Sequence, residues 1–141
     1  MKFTDQIRNN LLAIISLVVA LSALGYNTWR NESSETNRNI RQAGFEIIMH
    51  VGELQKFAYT SVYDKENLKS DPIIASTEVL LINDLSRLMS ESVNIKAKEL
   101  SDAWDKNWQG LKTQNEFNLA DIDIALLNLR KEVLENMSRL D

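Results

Sequence analysis

The chain has 141 residues, with 20 Asp and Glu against 16 Lys and Arg, a single His and no Cys. The missing Cys excludes disulfides, thiolate nucleophiles, zinc–thiolate sites, iron–sulfur clusters and covalently attached haem. The net charge of -4, with basic residues scattered along the chain, argues against nucleic acid as a partner. One Pro and four Gly leave little material for turns, sheets or phosphate-cradling loops, so the expected fold class is all-α.

Residues 1–9 read as a short tail carrying Lys2 and Arg8 against Asp5. No Asp, Glu, Lys or Arg then occurs until Arg30, and the run Leu11 to Gly25 contains five Leu, two Ile and two Val. As a helix, Leu11 to Trp29 would reach roughly 28 Å, close to the thickness of a hydrocarbon core. Its large apolar residues favour insertion by about 3 to 5 kcal/mol, of which Ser16, Ser22 and Gly25 return a part. Tyr26 and Trp29 suit a headgroup boundary, and Arg30 opens the polar chain beyond it. Residues 10–30 are therefore expected to form a transmembrane signal-anchor helix with its membrane interface at Tyr26, Trp29 and Arg30. A cleaved signal peptide is the competing reading, since Ala23-Leu24-Gly25 offers small residues at a cleavage-like spacing. A buried soluble helix is a third reading, disfavoured because almost no face of the run is polar. Arg30, Arg38 and Arg41 nearly balance the basic residues before the span. A short basic tail near a signal-anchor usually stays cytoplasmic, which places the remainder in the periplasm, anchored by a single pass in a bacterial inner membrane.

Residues 31–141 are enough for one domain with one core. A helix at about 33–63 carries a seam of Ile40, Gly44, Ile47, Val51, Leu54 and Ala58 in alternating steps of four and three. Ile48, Gly52, Tyr59 and Val62 form a stripe beside it. No strong breaker separates Trp29 from Ile40, so the span and this helix are expected to be nearly continuous. Asp64 to Pro72 is charged and aperiodic, a loop ending where Pro often opens a helix. A helix at about 73–90 shows Ile74, Leu81, Leu85 and Leu88, with Ile82 and Met89 alongside. Ser90, Ser92 and Asn94 are candidate caps for the next helix, about 93–110, whose face is Ala97, Leu100, Trp104, Trp108 and Leu111 and which Gly110 is suited to stop. The last helix, about 118–140 with Asn118 as its cap, repeats Leu119, Ile122, Leu126, Leu129, Val133 and Leu140, with Asp121 and Asp123 early and Arg130, Lys131 and Arg139 late. Together these predict one transmembrane helix followed by an antiparallel bundle of about four helices. The weakest join is near Ser92, where two helices would merge into one bent helix.

Little in this chain resembles catalytic or cofactor machinery. His50 lies between Glu46 and Glu53, but the spacing is not that of the Glu-x-x-His di-iron bundles and no second His completes such a site. The simpler reading is a partly exposed His steadied by these two carboxylates. Haem ligation by His50 with Met49, Met89 or Met137 is weighed against Met as core filler, which is the commoner use. No nucleophile elbow or Walker pattern occurs. The pairs Asp102 with Asp105 and Asp121 with Asp123 read as solvation and dipole complement. No enzyme activity, metal or cofactor is expected.

Trp104 and Trp108 share one helical face, and two roles are open to them: bundle core, continuing the stripe of Leu100 and Leu111, or a hot spot for a partner helix or apolar ligand. Arg38 and Arg41 are candidates for the same partner surface or for lipid phosphates near the interface. The stretch ALGYNTWRNESSETNRNIRQAGFEIIMHVGELQKFAYTSVYD at Ala23 to Asp64 and AWDKNWQGL at Ala103 to Leu111 resemble a group of small, single-span, membrane-anchored helical proteins of proteobacteria. That resemblance implies the anchored helical design and no activity. More distantly, an anchored helical bundle is similar to chemoreceptor ligand domains, from which this sequence departs in having no second span and no output module. The expected function is a non-catalytic inner-membrane protein whose periplasmic bundle binds a membrane or periplasmic protein, or itself, beside the lipid bilayer. The alternative is a membrane-anchored bundle that senses or carries a small molecule or lipid.

Overall fold

The computed structural model describes residues 10–64 and 72–140. The predicted tail at 1–9, most of the predicted loop (65–71) and Asp141 lie outside the described residues. Four helices and no strand occupy the described chain: α1 (Leu11–Tyr63), α2 (Pro72–Ser86), α3 (Glu91–Leu111) and α4 (Glu116–Ser138). They fall into two compact units, one through Asn37 and the other from Arg38.

The first unit is the N-terminal part of α1, which is long and apolar enough to cross a membrane. Its large apolar side chains, among them Leu12, Leu17, Val19 and Leu24, are exposed. The hydroxyl of Ser16 donates to the Leu12 carbonyl at 2.8 Å and that of Thr28 to the Leu24 carbonyl at 3.0 Å. Hydroxyls bonded back to their own helix cost less in hydrocarbon than hydroxyls left unpaired. The apolar stretch expected at 10–30 and the helix expected at 33–63 are continuous, as the lack of a breaker between them predicts: α1 is one helix of 53 residues. The segment from Arg30 to Asn39 contains no Gly or Pro to stop it, and Thr36 bonds back to the Glu32 carbonyl at 2.9 Å.

The second unit is an antiparallel four-helix bundle built from the C-terminal part of α1 with α2, α3 and α4. Opposed chain directions follow from paired contacts near each end. Met137, near the end of α4, packs by Gly44 of α1, while Asp123 early in α4 bonds Gln55 and Tyr59 further along α1. Ser86 at the end of α2 meets Asn94 at the start of α3, and Ser76 near the start of α2 meets Trp104 late in α3. The seam of α1 is buried as its spacing predicts, through Ile47, Val51, Leu54 and Ala58, and extends to Ala43 and Val62. Each large side chain so buried contributes roughly 1.5 to 3 kcal/mol. The neighbouring stripe divides: Val62 joins the core, Ile48 packs half-buried against it, and Tyr59 turns outward.

On α2 the predicted face holds only in part: Ile82 is buried and Leu85 and Met89 pack half-buried against the core, but the rest of the stripe does not. Ala75, Val79, Ile82 and Ser86 are buried, whereas Ile74, Leu81 and Leu88 are exposed. Large apolar residues are spread around much of this helix, so periodicity selects no single stripe, and the buried face mixes Val79 and Ile82 with the smaller Ala75 and Ser86. α2 stops at Ser86, short of residue 90, and a turn through Met89 follows. Ser90 caps α3, its hydroxyl accepting from the Val93 amide, so α2 and α3 are separate helices beginning two residues earlier than expected for α3. α3 runs past Gly110 to Leu111. The Gly110 carbonyl accepts from the Thr113 and Asn115 amides, and a Cβ at Gly110 would collide with the side chain of Asn118. Asn115, not Asn118, caps α4. Asn118 is engaged elsewhere, donating its amide to the Asn107 side-chain oxygen at 2.6 Å. In α4, Leu119, Ile122, Leu126, Leu129 and Val133 are buried at the predicted spacing, and Leu140 lies beyond the end of the helix.

Candidate interaction surface

The predicted interface residues Tyr26, Trp29 and Arg30 lie on α1 in the first unit. The two rings are tilted against each other with centroids 6.1 Å apart, and both are exposed. Trp104 is corrected: it is only 2 % exposed, packs on Phe57 with centroids 6.0 Å apart, and donates its indole N–H to the Ser76 hydroxyl at 3.3 Å. It is core and offers no partner surface. Trp108 is half-buried beside the same core, with the Lys112 ammonium 5.0 Å above its ring. The two tryptophans thus share a helix face without sharing an environment. Arg41 donates to the Leu140 carbonyl, tying the start of the bundle part of α1 to the residues just after α4, and Arg38 is exposed.

His50 is also corrected. Its Nδ1 lies 2.5 Å from Oε2 of Glu78 on α2 rather than against Glu46 or Glu53, and Glu46 instead accepts from Gln42. The partner comes from another helix, which spacing along α1 cannot reveal. Met49 is exposed, while Met89 and Met137 pack near Gly44, filling the space that a Cβ would claim. Among the described residues, no group of three or more His, Cys, Asp or Glu side chains is arranged to hold a metal ion. Asp123 accepts from Gln55 at 2.6 Å and from the Tyr59 hydroxyl at 3.1 Å. The hydrogen bond to this carboxylate raises the Tyr59 phenol above its usual pKa, and partial desolvation and the charges of Asp123 and Tyr63 act in the same sense. Asp102 and Asp121 border an open depression between α3 and α4 with Glu99, Lys106 and Ile124. Its shape and charge are unlike those of an enclosed apolar pocket.

The feature that pattern reading missed is the outer face of α1. Phe45, Met49, Gly52, Lys56, Tyr59 and Tyr63 recur in steps of four and three on the side opposite the buried seam. Phe45, Met49 and Tyr63 are 62 %, 65 % and 60 % exposed. The hydrogen bonds locate their neighbours. Ile74 and Leu81 stand one turn either side of Glu78, the residue of α2 that meets His50, and both are exposed. Leu127 stands one turn beyond Asp123, the residue of α4 that meets Tyr59, with Leu134 two turns further, again both exposed. α1 is therefore the centre of an apolar band flanked by α2 and α4. The outward positions of α3 are mostly charged or polar, including Lys98, Glu99, Asp102, Asp105 and Lys106, with Ile95 as an exposed apolar exception. At about 100 Å² of exposed apolar area for each large side chain, the band exceeds the few hundred Å² usual for the largest patch of a monomer. The signal was present in the sequence as a second stripe at helical spacing, but a helix with neighbours on two sides explains such a stripe equally well. No protein family model matches the chain, and no curated protein or solved structure shows significant similarity to it.

Proposed function

We propose that this chain is a non-catalytic, single-span inner-membrane protein whose periplasmic bundle docks a protein partner as an accessory subunit, scaffold or regulator. The observation that carries the reading is the apolar outer band centred on Phe45, Met49 and Tyr63, which the core does not need: Ile47, Leu54, Ile82, Leu100, Leu126 and Leu129 are sealed without it. Aromatic residues and Met are favoured at protein interfaces, and charged residues are depleted from interface centres. That matches the contrast between the faces of α1 and α3. The exposed apolar start of α1, with its self-bonded hydroxyls and the Tyr26–Trp29 pair, supports retention as an anchor.

A photoreactive amino acid placed at Met49 of the full chain, in native membranes, tests the docking surface against the same probe at Asp102. The expected result is an adduct of defined mass from position 49 and none from 102. Equal labelling, or no adduct at 49, would overturn the reading. A reporter fused after Asp141 that is active only outside the cytoplasm is expected to be active; inactivity would reverse the orientation.

A further inference from the structure

We infer that the occupant of this band is a second copy of the same chain, docked in parallel about a two-fold axis that runs along the outer stripe of α1. The inference rests on the docking surface proposed above and names its partner. Steps of four and three through Phe45, Met49, Gly52, Lys56, Tyr59 and Tyr63 form a coiled-coil seam, and in a parallel pair each seam residue meets its own counterpart. Copies inserted in a membrane in one sense meet side by side, the arrangement such a seam requires. Gly52 lies at the middle of this seam, with open space where a Cβ would stand. The flanks are complementary: in a parallel pair, Arg41 faces the residue five positions further along the second copy, which is Glu46. Arg41 has donors to spare beyond its bond to the Leu140 carbonyl. The area also suffices, since stable pairs bury about 800 Å² per partner and the band with its flanks offers several hundred Å² of apolar surface before any polar rim is counted. Lys56 is the one charge on the seam; meeting its counterpart costs affinity and limits the assembly to a specific register.

The absence of Cys from the natural sequence gives a direct test. Single substitutions Met49→Cys and Gly52→Cys in the full chain, both at positions with room for the new side chain, are compared with Lys98→Cys on α3 under mild oxidation in native membranes. Counterpart seam residues of a parallel pair satisfy disulfide geometry. The account expects disulfide-linked homodimer from positions 49 and 52 at least about tenfold above position 98, with mixed dimers when two differently tagged copies are co-expressed. Equal yields at all three positions, or none, would overturn self-pairing. If the photoreactive probe at Met49 yields an adduct with a different polypeptide while no disulfide dimer forms, self-pairing fails and the docking surface stands. Failure of both probes removes both.

Discussion

Three single residues carry most of what is particular about this bundle. Gln114 adopts a left-handed backbone, φ 56°, in the turn from α3 to α4. A side chain there costs about 1 kcal/mol, so Gln114→Gly should stabilise the fold by about 0.5 to 1 kcal/mol and raise Tm by several degrees in a thermal melt. A lower Tm would show that the Gln side chain contributes more than its backbone costs. Gly110 is constrained in the opposite way, because a Cβ there meets Asn118, which holds Asn107. Gly110→Ala should destabilise by about 1 to 3 kcal/mol despite the helical preference for Ala, as measured by denaturant unfolding. Tyr59 reports on the contact between α1 and α4. Its pKa is raised because its hydroxyl donates to the Asp123 carboxylate, so the folded state holds the neutral phenol more firmly than the unfolded chain does. This contribution is complete below the unfolded phenol's pKa and is lost as pH rises through the higher folded value. Asp123→Asn should move the ultraviolet titration of Tyr59 back toward an ordinary phenol, and the stability gap between the two proteins should narrow in strongly alkaline solution; an unmoved titration would contradict the contact.

At the scale of elements, the legible helices were those with one apolar stripe. α4 presents Leu119, Ile122, Leu126, Leu129 and Val133 against a mostly polar remainder, and the core seam of α1 is equally plain. α2 was illegible because Ile73, Ile74, Val79, Leu80, Leu81 and Ile82 leave no polar face to orient it. Its true face is chosen by packing and by Ser86, which donates to the Asn83 carbonyl of its own helix and accepts from Asn94 of α3, a contact between helices that spacing along α2 does not reveal. Ile82→Ala should therefore cost about 2 to 5 kcal/mol, while Ile74→Ala should stay within about 0.5 kcal/mol, with chemical denaturation as the measure. The reverse order would restore the face expected from spacing. The candidate surface was hidden for a related reason. Trp104 drew attention as a large aromatic at helical spacing, yet it fills the core, while the exposed aromatics Phe45 and Tyr63 sat on a helix whose core seam already accounted for its periodicity.

At the scale of the whole molecule, α1 begins with exposed apolar side chains, and the bundle carries an apolar band around α1 and most of its outward charge on α3. An anchor gives that asymmetry a use, because confinement to a membrane raises the local concentration of partners and fixes their relative sense. If the span were removed during maturation, the remaining bundle would be a free protein with an unusually apolar face, prone to associate without direction. The most direct measurement is the intact mass of the mature protein recovered from membranes after an alkaline carbonate wash. The account predicts that the protein stays in the membrane pellet with a mass that includes residues 10–30. Recovery in the soluble fraction, or a mass corresponding to cleavage near Gly25, would contradict it.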